Sequence, residues 1–288
     1  METNFIKHTD ILNLTAKEVE NLPEEVLNNI NKFHWFLISS FRGLSEDFIR
    51  KYADKFDWEV ICQVQTLSED FIRENKDKVN WNNVSIYQKL SEDFIREYAY
   101  KVNWYYISKY QNLSESFIME FDYRLDWDSI SFYQTLSEDF IRENKDRINF
   151  NILSSVENAL SEDFIREFQD KVEWSNISHF QNLSENFIRE FKDKVDWTNI
   201  SIGQTLSEDF IRENKDKVNW GCISDTQILS EEFIREFKDK VNWYCISCRQ
   251  TLSEEFIREF QDKVKWELIP WNQMLSDEFR KEFADKLN

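Results

Sequence analysis

Few residues in this chain are placed to do chemistry. Cys245 and Cys248 form its single CxxC, in "CISC", and a thiolate pair at that spacing is half of a structural zinc site. Completing the site needs a second pair or two histidines at ligand spacing. The chain offers only Cys62, Cys222 and the scattered His8, His34 and His179. Cys222 and Cys245 each stand two residues after a Trp, in equivalent places of a recurring pattern, which reads as ordinary helix sequence. Paired carboxylates abound as "SED" and "SEE", and such pairs can exchange a proton with a substrate. They recur along the whole chain, whereas a catalytic dyad is needed once. No Gly-rich phosphate loop, HExxH or GxSxG occurs. The expectation is a non-enzymatic protein with no catalytic residue, metal or cofactor.

The elements that carry these residues follow from a period. Aligned on "LS", the residues Ser45, Ser68, Ser91, Ser114, Ser137, Ser161, Ser184, Ser207, Ser230, Ser253 and Ser276 fall into register. Each step is 23 residues except the 24 from Ser137 to Ser161. Self-similarity at such a period signals stacked supersecondary units.

Each unit reads roughly L-S-E-D-F-I-R-E-x-K-D-K-V-N-W-x-x-I-S-x-x-Q-x. Counted from the Ser, Phe at +3, Ile at +4, a Phe, Tyr or Asn at +7 and Val at +11 lie on one face of a helix. Ser is placed to N-cap this helix A, and the acids at +1 and +2 complement the positive end of its dipole. Glu69 with Arg73 and Glu74 with Lys78 are i,i+4 pairs in the favourable order. The residue before Trp is a second cap: Asp57, Asn80, Asn103, Asp126, Asn149, Asp196, Asn219 and Asn242, with Glu173 and Lys265 departing. From Trp, an Ile three on and often a Gln seven on predict a short helix B of about two turns. A Ser in that helix can bond back to a carbonyl, so it need not be a reactive hydroxyl.

The predicted fold class is all-α: a superhelical solenoid of antiparallel pairs, with a long helix A and a short helix B. A lone unit buries too little apolar surface to offset its ordering entropy, so neighbours must stack. The predicted organisation is an N-terminal cap with a degenerate repeat over residues 1–43, ten repeats over 44–275 and a capping helix over 276–288. Thr15–Glu18 reads as a capping box, and Leu22–Ser40 as a degenerate unit. In the last unit Arg280 replaces the usual Ile, as a terminal cap requires. Between Ser137 and Ser161, Phe150 replaces Trp, Asn158 replaces Gln and one residue is added, which predicts a local kink or change of curvature. "QTLSEDFIREN" recurs at Gln65, Gln134 and Gln204, three units apart, which reflects either duplication of a three-unit block, the favoured reading, or a superhelix that makes similar demands every third unit.

Composition narrows the partners. Only three Gly and two Pro leave little turn chemistry for a sheet, and 16% aromatic residues argue against disorder. The net charge of −19 repels phosphate backbones and anionic lipid, which excludes general nucleic-acid binding and favours a basic partner. No apolar run approaches the ~18–20 residues that span a bilayer, and residues 1–14 show no signal-peptide pattern. Four irregularly spaced cysteines make no disulfide framework. These features predict a cytoplasmic location.

Recognition should lie where units differ: one, two, five and six residues after Trp. These positions include Tyr105, Tyr106, Lys109, Asp128, Ser129, His179, Gly221, Asp225, Tyr244 and Arg249. At Trp+6 the series is Phe41, Val64, Tyr87, Tyr110, Tyr133, Val156, Phe180, then Gly203, Thr226, Arg249, Asn272. This aromatic stripe either packs helix B on its neighbours or presents a ladder to a partner protein or peptide, with Tyr87, Tyr105, Tyr106, Tyr110, Tyr133, Phe180 and Arg249 as contacts.

Two resemblances attach to these motifs. "LSEEFIREFKDKVNWYCIS" at Leu229–Ser247, and the similarity over residues 44–288, resemble the short Trp-containing tandem repeats of giant DNA viruses of the mimivirus group. That family implies a viral, intracellular origin and no particular activity. "NLPEEVLNNI" at Asn21–Ile30 looks like the opening of an F-box, which would imply a ubiquitin-ligase adaptor. The next residues, "NKFHWFLIS", return to the repeat register.

Overall fold

The computed structural model describes Ile11 and residues 13–287. His8 and most of the segment read for a leader lie outside those residues. Among the described residues the chain forms 24 helices and no strand, an all-α helical-repeat solenoid. It divides into two compact units, one ending at Ile148 and the other beginning at Asn149.

The Ser68 repeat shows how the sequence builds the unit. Ser68 Oγ accepts from the Phe71 amide at 3.2 Å and caps a helix of six residues, Glu69–Glu74. This helix A is shorter than predicted. The chain leaves it at Asn75, and the Lys78 and Val79 amides donate to the Asn75 carbonyl (2.8 and 3.1 Å), closing a turn that brings Val79 back to the core. Residue 78 therefore no longer sits one helical turn beyond residue 74, and the expected Glu74–Lys78 pair is not formed. Instead Glu74 receives Arg50 of the preceding repeat at 2.7 Å, and Lys78 reaches back to Asp54 at 2.8 Å. Glu69 and Arg73 do pair, at 3.7 Å. Asn80 then caps helix B, Trp81–Tyr87, through the Asn83 amide at 3.1 Å. Helix B has seven residues, so the supposedly short helix is the longer one.

Within each unit, three residue types join neighbouring repeats, as around Trp81. Trp81 stacks on Phe94 and Tyr98 of the following repeat, with centroids 6.3 and 4.9 Å apart. Its indole N–H donates to the Lys76 carbonyl at 3.0 Å, and the Lys101 ammonium lies 5.6 Å over its ring. Ser85 Oγ donates to the Trp81 carbonyl at 2.7 Å, as expected, and also accepts from the Asn103 amide of the next repeat at 3.0 Å. Gln88 is buried: its Nε2 donates to the carbonyls of Cys62 (2.7 Å) and Gln65 (2.8 Å), and its Oε1 accepts from the Leu67 amide at 2.8 Å. Gln111, Gln134, Gln204, Gln227, Gln250 and Gln273 repeat this bridge, each satisfying backbone groups stranded between helices. Asn75, Asn144 and Asn214, which recur every third repeat, spend their Nδ2 on the carbonyl of the Phe four residues back.

The first repeat is complete despite its degenerate sequence. Helices Glu24–Asn29 and Lys32–Ser39 take the places of A and B, Leu27 of "LPEEVL" and Trp35 are buried, and Ser39 accepts from the Asp57 amide at 3.0 Å. Thr15 and Glu18 close the expected capping box. In the Ser137 repeat, helix B shortens to Phe150–Ser154, and Asn158, standing where the ladder has Gln, adopts φ 52°. At the far end, Pro270 lies in the first turn of Ile269–Asn272, which has no side-chain cap, in line with the departure at Lys265; Arg280 is exposed. Among the described residues no helix is long and apolar enough to cross a membrane.

Candidate functional site

The repeated carboxylates are occupied by the scaffold. Glu46 accepts from the backbone amide of Ser68 at 2.6 Å, and the same bond recurs from Glu69 to Ser91 and onward to Glu254 and Ser276. The Ser276 amide holds the Glu254 carboxyl below the ordinary Glu range. Asp54, Asp77, Asp216 and Asp239 are likewise held low, each by a lysine ammonium of the next repeat. The acids in these contacts serve as anion partners in structural bonds.

The cysteines make no site. Among the described residues no group of His, Cys, Asp and Glu could hold a metal ion, and all four cysteines are free. Burial pushes the Cys62 thiol up to about 11 and raises those of Cys222 and Cys245, against the direction that nucleophilic sulfur requires.

The Trp+6 stripe divides with the two units. In the first unit Tyr87, Tyr110 and Tyr133 are 49, 48 and 49% exposed, at equivalent places on three successive B helices. In this unit helix Trp81–Tyr87 packs on Trp104–Tyr110, and that helix on Trp127–Tyr133, so these rings form one row. The Lys109 ammonium lies 5.2 Å from the Tyr110 ring and 5.1 Å from the Tyr133 ring, and the hydroxyls of these tyrosines hold its pKa above the ordinary lysine value. Tyr106 extends the row inward, 6.2 Å from Tyr110 and 5.5 Å from the exposed Tyr105. Eight of the ten tyrosines lie between residues 87 and 133, so this row belongs to a local concentration.

The second unit is built differently. Phe180 contacts His179 edge-on at 4.6 Å and lines an open groove of about 420 Å³ with Asn158, Gly203 and Thr205. Gly203 stands in the stripe because a Cβ there would lie 2.6 Å from the His179 carbonyl oxygen. Arg249 pairs with Asp225 of the preceding repeat at 3.0 Å, beside a groove of about 490 Å³ that also includes Ile228. Thus Tyr87, Tyr105, Tyr106, Tyr110 and Tyr133 come together, whereas Phe180 and Arg249 line separate grooves. Of the other variable positions, Ser129 is buried and its amide donates the cap bond to Asp126 Oδ2 at 2.9 Å.

Two departures outside helix B escaped the reading of variable positions. At Ser+9 every repeat has Asp except two in succession, which have Tyr100 and Tyr123; at Ser+5 the Ser114 repeat has Met119 for Arg. Comparing those columns as closely as the ones after Trp would have found them. No family model, curated protein or solved structure matches this chain.

Proposed function

We propose that this protein is a non-enzymatic scaffold that binds a basic protein or peptide segment along the helix B row of its first unit. The observation supporting this most is the half-exposed Tyr87, Tyr110 and Tyr133 in register, with Lys109 held between two of the rings. Tyrosine offers a large rigid contact at small entropic cost and a face that attracts cations, as Lys109 illustrates within the chain. The net charge of −19 speeds the approach of a basic partner.

Affinity capture with wild-type protein and with the Tyr87→Ala, Tyr110→Ala, Tyr133→Ala triple variant tests this reading, with bound proteins identified by mass spectrometry. A reproducible basic partner should be retained by wild type and lost by the variant, with the melting temperature lowered by no more than about 2 °C. A variant that melts far lower would make the row a packing element. Equal capture by both proteins would remove it from the binding surface.

A further inference from the structure

An arginine ladder runs along the A helices, and one rung is missing. In the Ser91 repeat, Arg96 donates from Nε to Glu120 of the next repeat at 2.8 Å, and from one terminal nitrogen to Asp93 at 2.8 Å. Its other terminal nitrogen lies 3.6 Å from Glu92, and its guanidinium carbon sits 5.0 Å over the ring of Phe117 in the next repeat. Arg50, Arg73, Arg166, Arg189, Arg212, Arg235 and Arg258 each pair with the next repeat's Glu and lie over its Phe at about the same height.

In the Ser114 repeat, Met119 stands for the arginine and Ser116 for the aspartate. A thioether cannot donate, so Glu143 and the outer oxygen of Glu115 have no guanidinium, although Glu115 still accepts from the Ser137 amide at 2.6 Å. Phe140, the ring such a group would cover, is 5% exposed where Phe71, Phe94, Phe117 and Phe187 are fully buried. The surroundings change in the same place. Met119 is 45% exposed, Tyr123 75% and Tyr100 71%, on an edge that elsewhere carries Asp–Lys pairs. Arg124, left without an aspartate at residue 100, turns to the Ala99 carbonyl at 2.6 Å and lies 5.5 Å over Trp104.

We propose that this socket, Glu115, Glu143 and the edge of Phe140 beneath Met119, receives an arginine side chain from a basic partner, with Tyr123 and Met119 as its apolar rim. The chemistry favours arginine over lysine. A planar guanidinium can bridge two carboxylates while stacking on a ring, whereas an ammonium presents a point charge. The socket is separate from the helix B row and does not depend on the function proposed for that row.

The test uses the full chain and a fluorescein-labelled hexapeptide of alternating Arg and Gly, followed by fluorescence anisotropy. Met119→Arg supplies the missing rung from within and should weaken binding at least tenfold while raising the melting temperature. Thr251→Arg, the same charge change at an exposed position of the other unit, should stay within twofold of wild type. Glu143→Gln should also weaken binding about tenfold without altering the melting temperature, which keeps the test open if Met119→Arg folds poorly. The Lys–Gly peptide should bind wild type several-fold more weakly, and the triple tyrosine variant should bind the Arg–Gly peptide as wild type does. Equal effects of Met119→Arg and Thr251→Arg, or equal binding of the two peptides, would overturn the proposal in favour of general attraction to an acidic surface.

Discussion

Replacing Gln111 by Leu tests the glutamine ladder directly. Gln111 is buried; its Nε2 donates to the Ser85 and Gln88 carbonyls at 2.9 and 2.8 Å, and its Oε1 accepts from the Leu90 amide at 3.0 Å. Leucine fills a similar volume, so packing is largely retained while three backbone groups lose this partner. At about 1–3 kcal/mol for each buried group left unsatisfied, with some relaxation, the expected loss is about 3–5 kcal/mol. With a urea m-value of about 2 kcal/mol/M, the midpoint should fall by about 1.5–2.5 M. Gln63→Leu, at an exposed position of an earlier repeat, is the control and should move the midpoint little. Amide exchange gives a local readout: the Leu90 N–H should lose protection in Gln111→Leu before neighbouring helix amides do. A shift equal to that of Gln63→Leu, with Leu90 still protected, would refute the view that this side chain joins the repeats.

Two further outcomes are expected from the packing and the charges. Gly203→Ala should cost about 1–3 kcal/mol in chemical denaturation, because the His179 backbone cannot yield to a Cβ at 2.6 Å; Gly221→Ala, whose Cβ would meet only the Asn219 side chain at 3.2 Å, should be close to neutral. The lysine ammonium groups depress Asp54, Asp77, Asp216 and Asp239, so their contribution is present above the unfolded Asp pKa of about 4 and lost as pH falls through the folded values. In ~0.15 M salt, which damps the general repulsion of a −19 chain, melting temperature should be level from about pH 7 to 5 and decline below about 4. A rise on acidification would show that relief of repulsion outweighs these pairs.

Much of the unit was legible because its determinants are local. Ser68 and Asn80 cap the helices they precede, and Phe71, Ile72 and Val84 occupy the buried face that the 3.6-residue spacing selects. The extent of helix A is not legible, because periodicity alone does not distinguish a further helical turn from the tight turn at Asn75, which returns Val79 to the same core. The break after Ser137 was visible as an added residue and the loss of Trp and Gln; the left-handed Asn158 was not.

By itself the sequence determined the period, the caps, the all-helical class and the set of positions free to vary, since each depends on residue type and short-range spacing. Only the tertiary structure decided which neighbour each polar group meets. Gln88, Glu74, Lys78 and Arg73 all find partners across repeat boundaries, at separations of 21–26 residues, where stacking and not chain proximity sets the distances. For the same reason only stacking could show that Tyr87, Tyr110 and Tyr133 share one open row, that Gly203 is required by its neighbour's backbone, and that Met119 leaves one rung of an arginine ladder unfilled.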